Sequence, residues 1–223
     1  MGRPKIDRTG EVRKMNNGLT AKIVAYRGAN DIDVEFVENG AIVRSFYHCF
    51  VRSEIKCPMI YKKIDNDSVQ VTNPNTNAVF IIDVDDVNKV NMYDFWFRDN
   101  KGYIKSVSRG KEVRLHKIII GTTSNGVDHI NGNRSDNRKL NLRACSVEQN
   151  NRNRKTPITN KSGFKGVYWD KKRNKWRAVI TASGNIYSLG WFNDVRRAAI
   201  AYNEAAAKHH GEFARLNVVT EAA

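Results

Sequence analysis

Apolar residues in this chain come in short runs, and each run is soon closed by a turn signal. Residues 21–25 and 32–36 are apolar or alternating, with Arg27, Gly28, Ala29, Asn30 and Asp31 between them. Glu38-Asn39-Gly40 is a second turn, and residues 42–46 make a third strand. The pattern recurs at 79–84, 102–107 and 113–120, and again at 166–169, 175–181 and 186–191. Runs this short are strands of small sheets. Helical signals are few. Residues 85–93 make a short helix with Asp85 or Asp86 near its N-cap. Ser146 caps another, with Gln149 three residues on as capping-box partner. Asp194 caps an alanine-rich helix over 195–209 that Gly211 stops. The fold class expected is α+β, in several small domains.

Three segments follow from these boundaries: a small β module at 1–58, closed by Cys57-Pro58; a central domain at 59–155; and a last domain at 156–223, after a polar linker at 157–162. Charge divides the chain as well. Asp65, Asp67, Asp83, Asp85, Asp86 and Asp94 lie before position 100, whereas residues 152–177 hold ten Lys or Arg and one acid, Asp170. Overall, 38 Lys plus Arg against 23 Asp plus Glu leave a net charge of +15, which favours a polyanionic partner. No apolar run is long enough to span a bilayer, and no amphipathic basic helix suggests a membrane surface. The basic stretch 1–8 has no apolar h-region after it, so no secretory signal is expected. Three scattered cysteines, Cys49, Cys57 and Cys145, suit a reducing cytoplasm and make no disulfide framework.

The densest chemistry is in Val127-Asp128-His129-Ile130-Asn131-Gly132-Asn133, followed by Asn141-Leu142-Arg143 and Glu148-Gln149-Asn150-Asn151. Phosphodiester hydrolysis needs a base for water and a cation for the leaving oxygen. A histidine with a near-neutral pKa serves the first need, and a hard divalent ion on oxygen ligands the second. Asp128 and Asn150 offer oxygens, and His129 offers the base. Asn141 can accept a hydrogen bond from one ring nitrogen and leave the other free. An isolated Asp-His pair is usually a solvated turn; the spacing to Asn141 and Asn150 is what separates this one. The string from Leu115 to Asn153 resembles the HNH nuclease family, in the form common in phage homing endonucleases. That resemblance implies two strands, a loop and a helix around one ion. Asp128 and Asn150 match the metal ligands, His129 the general base, and Asn141 the residue that orients it. The ion implied is Mg²⁺, with Mn²⁺ as a substitute. Asn150 stands where many relatives have a histidine, and no Cys-x-x-Cys pairs frame the motif, so zinc is not expected. His116 matches a position that is often histidine; a place near the scissile phosphate and a purely structural role both fit. Arg143 fits either a phosphate or an acid partner. The first segment resembles a β module that precedes the nuclease part in some phage proteins.

The last segment carries Ser162-Gly163-Phe164-Lys165-Gly166-Val167, Lys175-Trp176-Arg177-Ala178, Leu189-Gly190-Trp191-Phe192 and Gly211-Glu212-Phe213-Ala214. It resembles the AP2 DNA-binding domain, which implies a three-stranded antiparallel sheet on one helix, with the sheet in the major groove. Ala198, Ala199, Tyr202 and Ala206 share the helix face that packs on the sheet. Trp176 and Phe192 read as core. Positions matching family DNA contacts are Lys165, Tyr168, Thr181 and Ser188. Lys171, Lys172, Arg173, Lys175 and Arg177, with Arg152 and Arg154 in the linker, are basic enough to hold phosphates. Several arginines of the plant pattern are missing, so plant-type base specificity does not transfer. The reading is a site-specific, metal-dependent homing-type endonuclease acting on double-stranded DNA in a phage-infected or lysogenic host. The alternative is a DNA-binding regulator with an inactive nuclease domain; a packaging or restriction nuclease fits less well. Monomer and homodimer are both compatible.

Overall fold

The computed structural model describes residues 6–93, 95–122 and 126–220. The basic start of the chain at 1–5 and Asp94 lie outside them. The chain forms two compact units, residues 1–119 with 134–139 and residues 120–133 with 140–223.

The first unit begins with β1 (Val12–Lys14), β2 (Thr20–Gly28), β3 (Asp31–Phe36) and β4 (Ala41–Ser45), an antiparallel sheet in sequence order. Alternation sends Ile32, Val34 and Phe36 inward with Ala21 and Ile23. The all-β expectation for this segment needs one correction. The third run stops at Ser45, and α1 (Tyr47–Val51) follows, with extended Phe46 as its N-cap. The helix drives Phe50, 1% exposed, into the core, which a continuing strand would leave unplugged.

A second antiparallel sheet holds β5 (Ile60–Lys63), β6 (Ser68–Asn73) and β7 (Ala78–Asp83). A 3-10 turn, Val84–Asp86, then leads to α2 (Val87–Asn91), with Asp86 at the N-cap position but without a side-chain cap bond. The third sheet has the order β10-β9-β8, from β8 (Phe97–Arg98), β9 (Ile104–Ser108) and β10 (Lys111–Arg114). Here the sequence expectation fails again. Residues 113–120 are not one strand: the chain turns at Leu115 into α3 (Leu115–Ile120), burying Leu115, His116 and Ile119. A short apolar run has no period that separates a buried strand from a buried helix. Residues 134–139 return to this unit, where Ser135 O accepts Ile81 N–H and Asn137 N–H donates to Ile81 O, both at 2.8 Å.

The second unit opens with β11 (Gly126–His129), paired antiparallel with β12 (Leu142–Cys145). Then comes α4 (Val147–Arg152). Ser146 Oγ accepts Gln149 N–H at 3.1 Å, and Gln149 Oε1 accepts Ser146 N–H at 2.7 Å, a complete capping box. β13 (Val167–Asp170), β14 (Lys175–Ala182) and β15 (Asn185–Phe192) form an antiparallel sheet in sequence order. α5 (Val195–His210) packs Ala198, Ala199, Tyr202 and Ala206 against Val167, Ala178 and Ile180. Trp176 and Phe192 border that core. Gly166, at φ +74°, permits close packing: a Cβ there would lie 2.1 Å from the Tyr202 ring. Among the described residues no helix is long and apolar enough to cross a membrane.

Candidate active site

Asp128 and His129 end β11, and both are buried, at 5% and 4% exposed. Neighbours on a strand point to opposite faces, so each has its own surroundings. The register sets Asp128 opposite Arg143 and His129 opposite Leu142. Beyond the strand end the loop is closed by Asn141. Its backbone oxygen accepts Ile130 N–H, and its side-chain oxygen accepts Asn131 N–H, both at 2.9 Å. Gly132 N–H turns back to His129 O at 2.8 Å. Asn141 is thus a fastener of the loop that carries the histidine.

The carboxylate of Asp128 is held from two sides. Arg143 donates from Nε at 3.0 Å and Nη2 at 2.8 Å, both to Oδ2. Asn153, just past α4 and 7% exposed, points Nδ2 at Oδ1 (3.1 Å), at Oδ2 (3.0 Å) and at the carbonyls of His129 (3.0 Å) and Ile130 (3.2 Å). Sequence reading missed Asn153. The signal was its place three residues after Asn150, which puts both amides on one helical face. Asn150 itself is half-buried on α4. Of the two partners open to Arg143, the structure shows the acid. Burial pushes the neighbouring Cys145 thiol up, and the Asp128 charge adds to this.

The side chains of Asp128 and Asn150 both offer oxygen, the donor type that a hard divalent cation takes. Oδ2 already takes the arginine, whereas among the described residues Oδ1 takes the Asn153 amide alone, at 3.1 Å, and retains acceptor capacity. Among the described residues no three His, Cys, Asp or Glu side chains converge in a cluster suited to a metal.

The other candidates are dispersed. His116 lies on α3 in the first unit, 2% exposed, with its ring 5.2 Å from that of Tyr103. Lys165 gives its ammonium to backbone carbonyls, those of Arg152 and, at 2.9 Å, Arg154. Burial pushes its pKa down to about 8, helped by Arg215 and Arg154. Arg152 pairs with Glu148 at 2.6 Å. Arg154, Lys171, Lys172 and Lys175 are exposed. On the last sheet, Tyr168, Arg177 and Trp191 are in cross-strand register. Arg173 lies 4.5 Å and Arg177 5.7 Å from the Trp191 ring, and Asp170 accepts from both Arg173 and the Trp191 indole. Sequence reading placed Trp191 only in the family pattern; its part in this row, with exposed Tyr168 and half-buried Arg177, follows from strand register. Thr181 and Ser188 are exposed on the same sheet.

Residues 121–152, which span the hairpin and α4, match the HNH endonuclease family. A mimivirus protein named "Uncharacterized HNH endonuclease L560", from Acanthamoeba polyphaga mimivirus, is 30% identical over 131 residues, 56% of this chain and 67% of its own length. The chain belongs to the HNH endonuclease family. "Protein 3.8" of Escherichia phage T7 is 37% identical to this HNH protein over 90 residues, 40% of this chain and 74% of the phage protein. No solved structure matches it. Family membership supports a nuclease that acts on DNA. The HNH segment covers Asp128, His129, Asn141, Arg143 and Asn150 and stops one residue short of Asn153.

Proposed function

We propose that this HNH protein is a metal-dependent, homing-type DNA endonuclease in which Asp128 and Asn150 hold one divalent ion and His129 is the general base. The observation that carries the reading is a buried Asp128–His129 pair on a strand of a hairpin, braced by Asn153, just past the helix that carries Asn150. When bound by Asp128 and Asn150, the ion, Mg²⁺ with Mn²⁺ as a substitute, would supply positive charge to the leaving 3′ oxygen. His129 takes the proton of the attacking water on one ring nitrogen. Asn141 orients the ring in this reading, and its bonds to Ile130 and Asn131 hold the loop that follows the histidine. Arg143 and Asn153 fix the carboxylate so that its acceptor side faces one way. His116 is a structural residue of α3 in this account, in keeping with its burial against Tyr103.

The last sheet and helix act as an AP2-type reader of double-stranded DNA. Support comes from the row of Tyr168, Arg177 and Trp191, flanked by Lys171, Lys172, Arg173 and Lys175 on a chain of net charge +15. Every phosphodiester is alike, so selection has to come from such a surface. The phage and mimivirus relatives support action in the cytoplasm of an infected or lysogenic host. Chelation tests the metal. Purified protein with Mg²⁺ should cut plasmid carrying phage DNA, EDTA should stop it, and excess Mg²⁺ should restore it. Cutting that persists in EDTA would exclude the ion from the mechanism.

A further inference from the structure

Two contacts link the last module of the second unit to the elements that carry Asp128 and Asn150. One runs through Arg143 on β12. While Nε and Nη2 bind Asp128, Nη1 donates to the Glu212 carbonyl, and the guanidinium lies 3.9 Å from the centre of the Phe213 ring. Phe213 is 7% exposed and Arg143 13%, so this is a dry contact in which a cation over a ring counts for more than it does in water. The other runs through Lys165. Its ammonium sits on the carbonyls of Arg152 and Arg154, at the C-terminal end of α4. The last carbonyls of a helix lack partners within it and carry partial negative charge, so a cation there is favoured.

Both anchors are themselves braced. Lys165 N–H donates to Asn217 Oδ1 at 2.7 Å, and Asn217 Nδ2 returns a bond to Lys165 O at 3.1 Å. Asn217 exchanges two further bonds with Asn203 on α5, at 2.7 and 2.9 Å. Glu212 and Phe213 belong to the 3-10 turn that follows α5. Helix α5 thus supports both clamps from its own body and its C-terminal end.

We infer that the sheet-and-helix module at 156–223 is a structural part of the metal site, with Lys165 and Phe213 as positioning residues: Phe213 steadies Arg143 and so Asp128, and Lys165 steadies α4 and so Asn150. The inference rests on the metal reading above. It also changes the place of Lys165, which resembles a DNA contact in sequence and here is spent on backbone carbonyls.

The test uses the full chain and Mn²⁺ alone, followed by electron paramagnetic resonance without DNA. Lys165→Met keeps the stem and removes the donor; Phe213→Leu keeps apolar bulk and removes the ring. Partners that orient a metal ligand are commonly worth ten- to a hundredfold in affinity, and these stand one contact further out, so each variant should weaken Mn²⁺ binding about three- to tenfold. Lys165→Arg and Phe213→Tyr restore donor and ring, and should recover most of it; a merely space-filling role would be met equally by Phe213→Leu. DNA affinity of Lys165→Met in EDTA should stay within about twofold of the parent, with an unchanged salt slope. If the parent binds Mn²⁺ and both variants match it, the inference fails and the metal reading stands. Tighter binding in Phe213→Leu overturns it too, because Arg143 would then be competing with the ion. A parent that takes up no Mn²⁺ overturns the metal reading and the inference together.

Discussion

Replacing Asn153 with alanine should loosen the carboxylate of Asp128 at a measurable cost in stability. The amide nitrogen has two hydrogens and four oxygens within 3.2 Å, two on Asp128 and one each on His129 and Ile130. Two hydrogens make at most two full bonds. One goes to a charged acceptor, worth about 1.5–3 kcal/mol, and one to a carbonyl, worth about 0.5–1.5 kcal/mol. The loss should therefore be about 2–4.5 kcal/mol. Water offsets little of it while Asn153 is 7% exposed. Trp169, Trp176 and Trp191 lie in the second unit and Trp96 in the first, so tryptophan fluorescence in urea, measured in a Trp96→Phe background, follows the unfolding of the second unit. With a denaturant slope of about 2 kcal/mol per molar, the midpoint should fall by about 1–2 M. Asn153→Asp keeps the shape and sets a second carboxylate against Asp128, so it should cost at least as much at pH 7. A loss under about 0.5 kcal/mol for Asn153→Ala would refute the bracing role and leave Asp128 to Arg143 alone.

Two further predictions concern the last module. His210 Nε2 lies 2.9 Å from Thr181 O and must donate, which leaves Nδ1 a buried acceptor without a partner among the described residues. Burial lowers its folded pKa below the ordinary value near 6.5, so between those two values the unfolded chain binds the extra proton and stability falls as pH falls. Denaturation midpoints at pH 7 and pH 5 should differ less in His210→Gln than in the parent, and an equal difference would remove His210 from the acid response. Gly166→Ala meets a positive φ and the Tyr202 ring at once, and should cost about 2–5 kcal/mol in the same urea assay; a loss under about 1 kcal/mol would contradict that packing.

What could be read from the sequence was local. The three strands of the last sheet, α5 between Asp194 and Gly211, and the Ser146–Gln149 capping box all rest on signals within a few residues of one another. The misread stretches were the ends of apolar runs. Strand and helix bury 115–120 equally well, and only the surrounding core decides between them. Asp128, His129, Asn141 and Asn150 were singled out by their spacing and by the family resemblance. Their supports were not, because Arg143 meets Asp128 through strand register and Asn153 meets it from the C-terminal end of α4. Lys165 looked like a DNA contact because its position in the family pattern is visible in a sequence. The carbonyls of Arg152 and Arg154 that occupy it are not.

The most direct test of the account is His129→Ala on supercoiled plasmid with Mg²⁺, with DNA affinity measured alongside in EDTA. The parent should convert supercoiled plasmid to nicked or linear product. The variant should bind the same DNA within about twofold and leave it supercoiled, a loss of at least about a hundredfold, as expected for a general base. Cleavage by His129→Ala at the parent rate would contradict the assignment of catalysis to this hairpin.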